Sequence, residues 1–480
     1  FMVIFLAPQG RAHAIDYRER APGGAHAHLY DGSPRASRDG PLAVAVPGEA
    51  AGLQLALQNF GTKSMAEAAA PAIGLAQEGF RVEAHLARAL SAQRGRLAAD
   101  GELASVFLHD DLSPYREGET LRRRHLAQTL QLLAHRGAGA FYHGAVAADI
   151  TAALSKADGA VLTAEDLAAY RALERAPLIT GYRGLDVVSM PPPSSGGATM
   201  AEALAVLEAY PLGDLGHGSA TYLHLLAETF KAVFADRARF YGDPDFIDLP
   251  LARLLSPAHA AGLRRGMSSV LPTPASAYGR AIPAEDGGTS HISVIDAAGN
   301  AVACTSSVNT SFGAAVGVPG RGIVLNNTMD DFARAPGVAN VYGLVGGRAN
   351  AIEGGKRPLS SMSPTIVIDR GRVRLVAGAS GGPLIISSTL QTLLGIIDFD
   401  LELAHAVAAA RIHHQWMPDK LGLETGIADA TVANLRRLGH PIVKLERAGA
   451  VAAVESVADA GSTLLHAVAD PRKGGRPAAY

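Results

Sequence analysis

The chain has little of three features that mark particular classes of protein. Cys304 is the one cysteine among 480 residues, which excludes an internal disulfide and a cysteine-rich zinc site. The 43 Lys and Arg residues are balanced by 45 Asp and Glu, and a formal net charge of −2 indicates no binding of nucleic acid or of an anionic membrane. No stretch approaches the ~20 consecutive apolar residues of a membrane helix.

Apolar residues, by contrast, are abundant. Hydrophobic residues make up 48% of the chain and charged residues 18%, a composition that predicts a large buried core and excludes a disordered protein. At roughly 150 residues per domain the length allows about three domains, although layered enzymes of this size often form one unit. We therefore expect a soluble globular protein, and most simply an enzyme.

The chain begins with an apolar run, residues 1–7, that precedes Pro8. The run is too short to span a bilayer and lacks the flanks of a signal peptide, so it predicts a buried strand. Because the chain has no initiator Met, we expect the natural chain to continue upstream.

Helical patterns dominate the residues before 270. Ala and Leu recur at helical spacing in three segments, and a Thr-x-x-Asp capping pattern predicts the start of a further helix. The three segments are 48–60, 64–80 and 82–97, and the capping pattern is 163–166. Loops are predicted at 31–40 and 191–197, and an exposed linker at 271–288.

From residue 289 the pattern changes to β-hairpins. Residues 290–296 alternate as a strand and 301–308 run back after a turn. Residues 364–368 and 373–377 repeat this pattern, and a helical segment follows at 384–399. Hairpins together with helices on both sides of the linker predict an α+β fold in which helical layers cover sheets.

Two segments could supply a nucleophile, and the first is 378–382. It fits G-x-S-x-G between a strand and a helix, the context of an α/β-hydrolase elbow, with Ser380 as the nucleophile. The candidate bases are His405, His413, His414 and His440. Alternatively, the N–H groups of Gly381 and Gly382 face one point and form an oxyanion hole, or the two glycines simply make a tight turn.

The second candidate is Thr289, which lies where the linker meets the first strand. If the bond between Gly288 and Thr289 is cut, Thr289 becomes an N-terminal residue. Its α-amine is a weaker base than a lysine amine and can take the proton of its own hydroxyl. A threonine at a strand start is equally well a cap or a β-forming residue, so the pattern alone leaves both interpretations open.

Longer motifs occur in a fixed order along nearly the whole chain. They are DYRE (16–19), SMPPPSSGG (189–197), TSHIS (289–293), NTSFG (309–313), LNNTMDDF (325–332), KRPLSSMSP (356–364) and RIHHQW (411–416). Together they resemble the γ-glutamyltransferases, also called glutathione hydrolases, although a stretch that the family has before residue 1 looks absent. The resemblance implies an N-terminal-nucleophile hydrolase with a four-layer αββα sandwich, made as one precursor that cleaves itself.

The resemblance also implies how the chain is divided and what it does. Residues 1–288 would be the large-subunit part and 289–480 the small-subunit part, forming one αββα domain and pairing as a heterodimer. Thr289 would attack the carbonyl of Gly288, be released by water, and then form an ester with the γ-glutamyl group of a donor such as glutathione. Water, an amine or a peptide would accept that group, and no cofactor is implied. Gly381 and Gly382 would hold the oxyanion, which makes Ser380 a loop residue.

Further positions match the residues with which the family holds its substrate and its nucleophile. The α-carboxylate would be bound by Arg18, Ser360 and Ser361, the α-ammonium by Asn309 and Asp331, and the nucleophile by Ser307, with Tyr342 as a lid. A planar guanidinium suits the two oxygens of a carboxylate, which fits this assignment of the arginine.

Thr328 departs from the family pattern, which usually has Gln or Glu at this position to help hold the α-ammonium. Threonine is shorter, so we expect weaker binding of glutamyl donors or a preference for a donor without the amino group. The alternative function is therefore a glutaryl-type, cephalosporin acylase-like amidase that uses the same Thr289. Arg18 and Asp331 favour the γ-glutamyl donor.

The remaining sequence motifs do not predict a metal site or a phosphate-binding loop. His413 and His414 are adjacent in a strand and point to opposite faces, so they predict no metal site. Residues 354–357 lack the other elements of a P-loop. The family resemblance implies a periplasmic or extracellular protein.

Overall fold

Two antiparallel sheets form the centre of the structure, a computed structural model that describes residues 1–155, 161–268, 270–277, 288–334, 338–459 and 462–479. The strands are β1 (Met2–Leu6), β2 (Arg11–Asp16), β3 (Phe80–Arg81), β4 (Thr120–Leu121), β5 (Leu173–Arg175), β6 (Leu178–Tyr182), β7 (Leu185–Ser189), β8 (Thr289–Ile295), β9 (Ala301–Ser307), β10 (Gly317–Val318), β11 (Ile323–Val324), β12 (Thr365–Asp369), β13 (Arg372–Ser380), β14 (Ile412–His413), β15 (Leu421–Leu423), β16 (Ile442–Lys444), β17 (Ala450–Asp459) and β18 (Ser462–Ala469). The first sheet has the order β5-β2-β1-β9-β8 and the second β18-β17-β13-β12-β7-β6. Three small sheets, β3-β4, β10-β11 and β14-β15-β16, lie outside them.

Helices make up much of the remaining described chain. They are α1 (Glu49–Phe60), α2 (Met65–Glu78), α3 (Ala84–Ala98), α4 (Gly101–Phe107), α5 (Arg124–Arg136), α6 (Gly139–Tyr142), α7 (Ala145–Leu154), α8 (Ala164–Ala169), α9 (Gly196–Leu207), α10 (Leu212–Leu215), α11 (Ala220–Phe240), α12 (Leu251–Leu254), α13 (Pro257–Gly266), α14 (Leu384–Ile397), α15 (Leu403–Ala408) and α16 (Asp429–Leu438). None of these helices, over the residues described, combines the length and apolar character needed to cross a bilayer.

The two large sheets pack face to face, and the alternation of β1 shows how. Alternate residues of a strand point to opposite faces. Val3 and Phe5 therefore enter the core between the sheets, where they belong to the same apolar cluster as Val187 and Ile366 of the second sheet. Met2 points to the other face of the first sheet.

Helices cover the outer face of each sheet. Helices α9, α14 and α15 lie on the second sheet and α11 packs against α9, and their side chains, such as Phe230 and Leu390, complete the apolar core. Burial of each such side chain stabilises the fold by roughly 1.5–3 kcal/mol. On the first sheet, Ala56 of α1 packs with Met2 and Ile4. The order is helix, sheet, sheet, helix, so the predicted αββα sandwich is confirmed.

Most of the predicted elements are present. The apolar run at the start is β1, the two hairpins are β8–β9 and β12–β13, and the helical segments are α1, α2, α3 and α14. The capping pattern begins α8: the hydroxyl of Thr163 accepts from the backbone N–H of Asp166 at 3.2 Å, and the carboxylate of Asp166 accepts from the N–H of Thr163 at 2.9 Å.

The predicted loop at 191–197 is too long by two residues. Gly196 and Gly197 already belong to α9. A Cβ atom at Gly196 would lie 2.2 Å from Oγ of Ser363, and one at Gly197 would lie 2.4 Å from the carbonyl of Met190. These glycines therefore serve close packing at the start of a helix, a role that a Gly-rich sequence does not distinguish from a loop.

The predicted exposed linker at 271–288 is partly contradicted. Its residues 278–287 lie outside the described residues. Before them, Ala275 is 1% exposed, its N–H donates to Asp419 at 2.7 Å, and its carbonyl accepts from the indole of Trp416 at 3.0 Å. These long-range hydrogen bonds hold Ala275 against the fold, whereas most of its described neighbours, such as Leu271 at 60% exposed, lie at the surface as predicted.

Candidate active site

The first strand of the β8–β9 hairpin begins with Thr289, which lies directly opposite Ser307. Residues opposite each other in an antiparallel pair present their side chains on the same face. The hydroxyls of Thr289 and Ser307 are consequently 2.8 Å apart, and Thr289 is buried. Ser307 Oγ also accepts from the N–H of Asn309 at 2.9 Å, which fixes its position.

The carbonyl of Gly288 lies immediately before this hydroxyl pair. It accepts from the N–H of Val308 at 3.2 Å, and Ser307 Oγ lies 3.5 Å from it. A Cβ at Gly288 would lie 2.2 Å from the carbonyl of Thr310, so only glycine fits this close approach. The peptide bond between Gly288 and Thr289 thus has a neighbouring hydroxyl and two donors at its carbonyl oxygen.

Gly381 and Gly382 follow β13 and begin the turn into α14. Their φ angles are +135° and +54°, in the region that favours glycine. Within the part of the chain that the structure describes, neither of their N–H groups donates a hydrogen bond. Two amides without internal acceptors, next to the strand that Thr289 begins, are what an oxyanion site requires.

Tyr342 closes the site from one side. It is buried, its hydroxyl donates to the carbonyl of Asn309 at 2.6 Å, and its own carbonyl accepts from Gln415 at 3.0 Å. A Cβ at Gly382 would lie 2.8 Å from the ring of Tyr342. The ring therefore lies against the proposed oxyanion amide.

Arg18 and Asp331 form a buried ion pair in the same site. The guanidinium of Arg18 donates to Asp331 at 2.5 Å, to Glu19 at 3.1 Å and to the carbonyl of Pro358 at 3.0 Å. Burial raises the pKa of Asp331, and the nearby Arg18 opposes that rise. A cation and an anion held together in this way can bind the two charged groups of an α-amino acid.

Arg237 is a site residue that the sequence analysis missed. It is 4% exposed, it lies on α11, and it donates to Ser195 Oγ at 2.8 Å and to Ser361 Oγ at 3.2 Å. Burial lowers the pKa of Arg237 to about 10, against the effect of Asp331. The sequence feature that could have indicated Arg237 is an arginine in a helical segment whose other residues are largely apolar.

The structure brings most of the predicted site residues to one small cavity of about 20 Å³. Its lining includes Arg18, Thr289, Ser307, Asn309, Asp331, Tyr342, Ser360, Ser361 and Gly382. Gly288 and Gly381 line the neighbouring cavity, together with Lys473. Residues from both sheets and from the loops between them therefore meet at one end of the sandwich.

Thr328 is not among the residues that line this cavity. It is fully buried, and its hydroxyl donates to Asn326 at 2.7 Å. The same Asn326 oxygen accepts from the N–H of Ala45 at 3.1 Å. Thr328 thus belongs to the packing behind the site, and its contacts are structural.

Ser380 has a lysine neighbour. The ammonium of Lys473 lies 3.2 Å from Ser380 Oγ and also donates to the carbonyl of Thr289. The four candidate histidines have other partners: His413 contacts Ser387 and Gln415, His414 contacts Asp419, His440 contacts His224, and the exposed His405 lies near Glu402. Among the described residues no histidine is bonded to Ser380, so the elbow lacks the histidine base that the hydrolase hypothesis required.

Comparisons with known proteins agree with this geometry. The sequence model of the Gamma-glutamyltranspeptidase family matches residues 1–480. The "Glutathione hydrolase proenzyme" of Escherichia coli (strain K12) is 40% identical over 479 residues, covering 98% of this chain and 82% of that protein. The "Acylase ACY 1 proenzyme" of Pseudomonas sp. (strain SE83) is 37% identical over 450 residues, covering 91% and 78%.

Solved structures show the same fold. The cephalosporin acylase from Bacillus halodurans superposes with a TM-score of 0.86 at 25% identity, covering 100% of this chain and 86% of that one. The gamma-glutamyltranspeptidase of Helicobacter pylori gives 0.56 at 35% identity, covering 57% and 80%.

A sandwich of two sheets between helices, with a threonine hydroxyl at the start of a strand of one sheet, defines the class of N-terminal-nucleophile hydrolases. These are amidohydrolases and acyl transferases that use the first residue of a processed chain. Within that class the chain belongs to the γ-glutamyltranspeptidase family, the glutathione hydrolases.

Proposed function

We propose that the chain cleaves itself between Gly288 and Thr289 and that Thr289 then transfers γ-glutamyl groups from a donor such as glutathione to water, an amine or a peptide. The contact between Thr289 Oγ1 and Ser307 Oγ at 2.8 Å carries this proposal, since it places a bonded hydroxyl beside the Gly288 carbonyl. No cofactor takes part.

Self-cleavage follows from the contacts around the peptide bond. Thr289 Oγ1 attacks the carbonyl carbon of Gly288 while its proton passes to the leaving nitrogen, and the C–N bond breaks to give an ester. The N–H of Val308 and the hydroxyl of Ser307 stabilise the negative charge on the Gly288 oxygen. Water then hydrolyses the ester and frees the α-amine of Thr289.

In the processed enzyme the α-amine of Thr289 acts as the base for its own hydroxyl. The hydroxyl attacks the γ-carbonyl of the donor, and the N–H groups of Gly381 and Gly382 hold the oxyanion. The amine leaves with the proton, and the γ-glutamyl ester remains on Thr289. Ser307 holds the hydroxyl in position throughout, because its own oxygen is fixed by the Asn309 N–H.

Donor recognition uses the buried charges of the cavity. Arg18 binds the α-carboxylate with the help of Ser360 and Ser361, and Asp331 accepts from the α-ammonium with the help of Asn309. The hydrogen bond of 2.5 Å between Arg18 and Asp331 would open as the α-amino acid group of the donor inserts between the two side chains. Arg18 would then bind the α-carboxylate instead of Asp331, and Asp331 would bind the α-ammonium instead of Arg18. Tyr342 covers the bound group.

The two fragments would remain together after cleavage as a heterodimer of 1–288 and 289–480 in one domain. In the first sheet β1 pairs with β9, and in the second sheet β7 pairs with β12. Each large sheet therefore contains strands from both sides of the cleavage point. A periplasmic or extracellular location remains an expectation from the family.

A glutaryl-type amidase is the second candidate, favoured by the acylase relatives and by the TM-score of 0.86 to a cephalosporin acylase. The two donors differ by the α-ammonium, the group that we assign to Asp331. The test is kcat/KM for L-γ-glutamyl-p-nitroanilide and for glutaryl-p-nitroanilide, in the wild type and in Asp331→Asn. We expect a preference for the γ-glutamyl anilide that Asp331→Asn abolishes. A preference for the glutaryl anilide in the wild type would overturn the γ-glutamyl assignment.

A further inference from the structure

A second polar cluster lies in the outer helical layer, away from Thr289. It consists of Glu202 on α9, Asp236 on α11 and His259 in the first turn of α13. His259 Nε2 lies 2.7 Å from Asp236 Oδ2 and 3.9 Å from Glu202 Oε2, and one ligand atom from each of the three lies within 4.8 Å of the others. Three neighbouring helices therefore direct one nitrogen and two carboxylates to one point.

Glu202 is the unusual member of this cluster. Its side chain is fully buried, and its Oε2 atom, which faces His259, has no hydrogen-bond partner. The hydroxyl of Tyr241 donates to the other oxygen. A buried acceptor without a donor is costly unless a cation or a proton satisfies it.

We propose that Glu202, Asp236 and His259 bind a divalent transition-metal ion of the Zn²⁺ class. Imidazole nitrogen with carboxylate oxygen is a ligand set that zinc accepts, at 2.0–2.2 Å from each atom. Ligand atoms around such an ion are about 3.3 Å apart, between the 2.7 Å and 3.9 Å observed, so small side-chain rotations are sufficient. His259 and Asp236 are 17% and 16% exposed, which leaves a route for the ion and a position for water.

Another cluster, His224, Glu228 and His440, also brings imidazole and carboxylate groups together but is less suited to a cation. The ammonium of Lys231 lies 2.8 Å from Glu228 and occupies one of its oxygens. The other oxygen accepts from the N–H of Thr273 at 2.9 Å. A fixed positive charge beside the carboxylate opposes a metal ion, so this cluster provides an internal control.

Metal binding would join three helices of one layer, because each ligand comes from a different helix. It would also fix the position of α11 at Asp236, the residue before Arg237, which contacts Ser361 of the catalytic cavity. The inference does not depend on the proposed γ-glutamyl activity, and metal binding can be measured without substrate.

The experiment uses the full chain, freed of any purification tag and dialysed against EDTA. Isothermal titration with ZnCl₂ gives stoichiometry and affinity, and a thermal melt with and without ZnCl₂ gives the shift in Tm. The variants are His259→Ala and Glu202→Gln, with His440→Ala for the competing cluster and His405→Ala for an exposed histidine. His259→Ala removes a partly exposed side chain, so it remains informative if Glu202→Gln does not fold.

We expect one Zn²⁺ per wild-type chain and a rise in Tm, because an ion that binds only the folded state stabilises it. His259→Ala should weaken binding about 100-fold or more, since even residues behind metal ligands change affinity 10–100-fold. His440→Ala and His405→Ala should bind as the wild type does. The proposal is overturned if the wild type shows no saturable binding, if His259→Ala binds equally well, or if His440→Ala is the variant that loses the ion.

Discussion

Gly382→Ala tests the assignment of the oxyanion site. The substitution adds one methyl group at a residue with φ +54°, in contact with the ring of Tyr342. That ring cannot move away freely, because its hydroxyl is bonded to the carbonyl of Asn309 at 2.6 Å. The strain is therefore expected to fall on the backbone of residue 382 and to turn its N–H away from the reacting carbonyl.

The size of the effect follows from three separate contributions, two to stability and one to kcat. A left-handed conformation costs a non-glycine residue about 1–2 kcal/mol of folding stability. A Cβ at 2.8 Å from a ring carbon requires the ring or the backbone to shift. Loss of one oxyanion donor lowers kcat by about 10²–10³-fold, equivalent to about 2.7–4 kcal/mol. Gly382→Ala should therefore raise the activation barrier by about 2.7–4 kcal/mol, more than the about 1–2 kcal/mol of conformational strain.

Gly10→Ala provides the matched control. Gly10 has a φ of +59°, it is exposed, and a Cβ there would have no neighbour within 4 Å. It should show the conformational cost in Tm without a change in kcat. The assay is kcat for a γ-glutamyl anilide, normalised to the amount of cleaved chain, together with Tm for both variants. A folded Gly382→Ala variant with kcat within threefold of the wild type would refute the oxyanion assignment.

Three further predictions concern buried polar residues around the site. Arg237→Met should raise KM for the donor about tenfold, equivalent to about 1.4 kcal/mol, and leave kcat nearly unchanged, because Arg237 positions Ser361. A fall in kcat as large as the rise in KM would contradict this. Thr328→Val should lower stability by about 1 kcal/mol through the lost bond to Asn326 and leave KM unchanged, whereas a raised KM would return Thr328 to the binding site. Burial raises the pKa of Asp330 to about 6, above the ordinary value of the unfolded chain. The folded state then binds the proton more tightly, so stability should fall by about 3 kcal/mol as pH rises from about 3 to 7, relative to Asp330→Asn. Parallel Tm–pH curves for the two would contradict this.

The regular elements could be predicted because their signals are local. Alternation in 290–296 and helical spacing in 48–60 each reflect one buried face, and the structure has β8 and α1 there. Gly196 shows the limit of such signals, since its reason for being glycine is the contact with Ser363, a residue far along the chain. A local sequence pattern does not indicate contacts between residues that are far apart in the chain.

The candidate site is partly visible in the sequence for a similar reason. The junction between the linker and the hairpin marks Thr289. Ser307 was assigned from the family resemblance, and the register of the hairpin explains why it lies opposite Thr289. Arg18, Asp331 and Tyr342 are far apart in the chain and were assigned from family resemblance alone. Arg237 escaped because its role depends on the packing of α11 against the loop that contains Ser361.

The sequence also could not distinguish the functions of two polar residues. Thr328 lies in the same motif as Asp331, yet its hydroxyl is directed to Asn326. Ser380 fits a hydrolase motif, yet its polar neighbour is Lys473. In both cases the direction of a hydroxyl decides the role, and that direction depends on tertiary contacts.

The central claim is that Thr289 is the nucleophile of both self-cleavage and catalysis. The most direct test is intact mass with N-terminal sequencing of the purified wild type, Thr289→Ala, Thr289→Ser and Ser380→Ala. The account predicts two wild-type fragments of about 30 and 20 kDa from the 49.5 kDa chain, the smaller beginning at Thr289. Thr289→Ala should stay whole and inactive, whereas Thr289→Ser and Ser380→Ala should still be cut. An uncut wild-type chain that hydrolyses γ-glutamyl amides, or a Thr289→Ala variant that is still cut before residue 289, would contradict it.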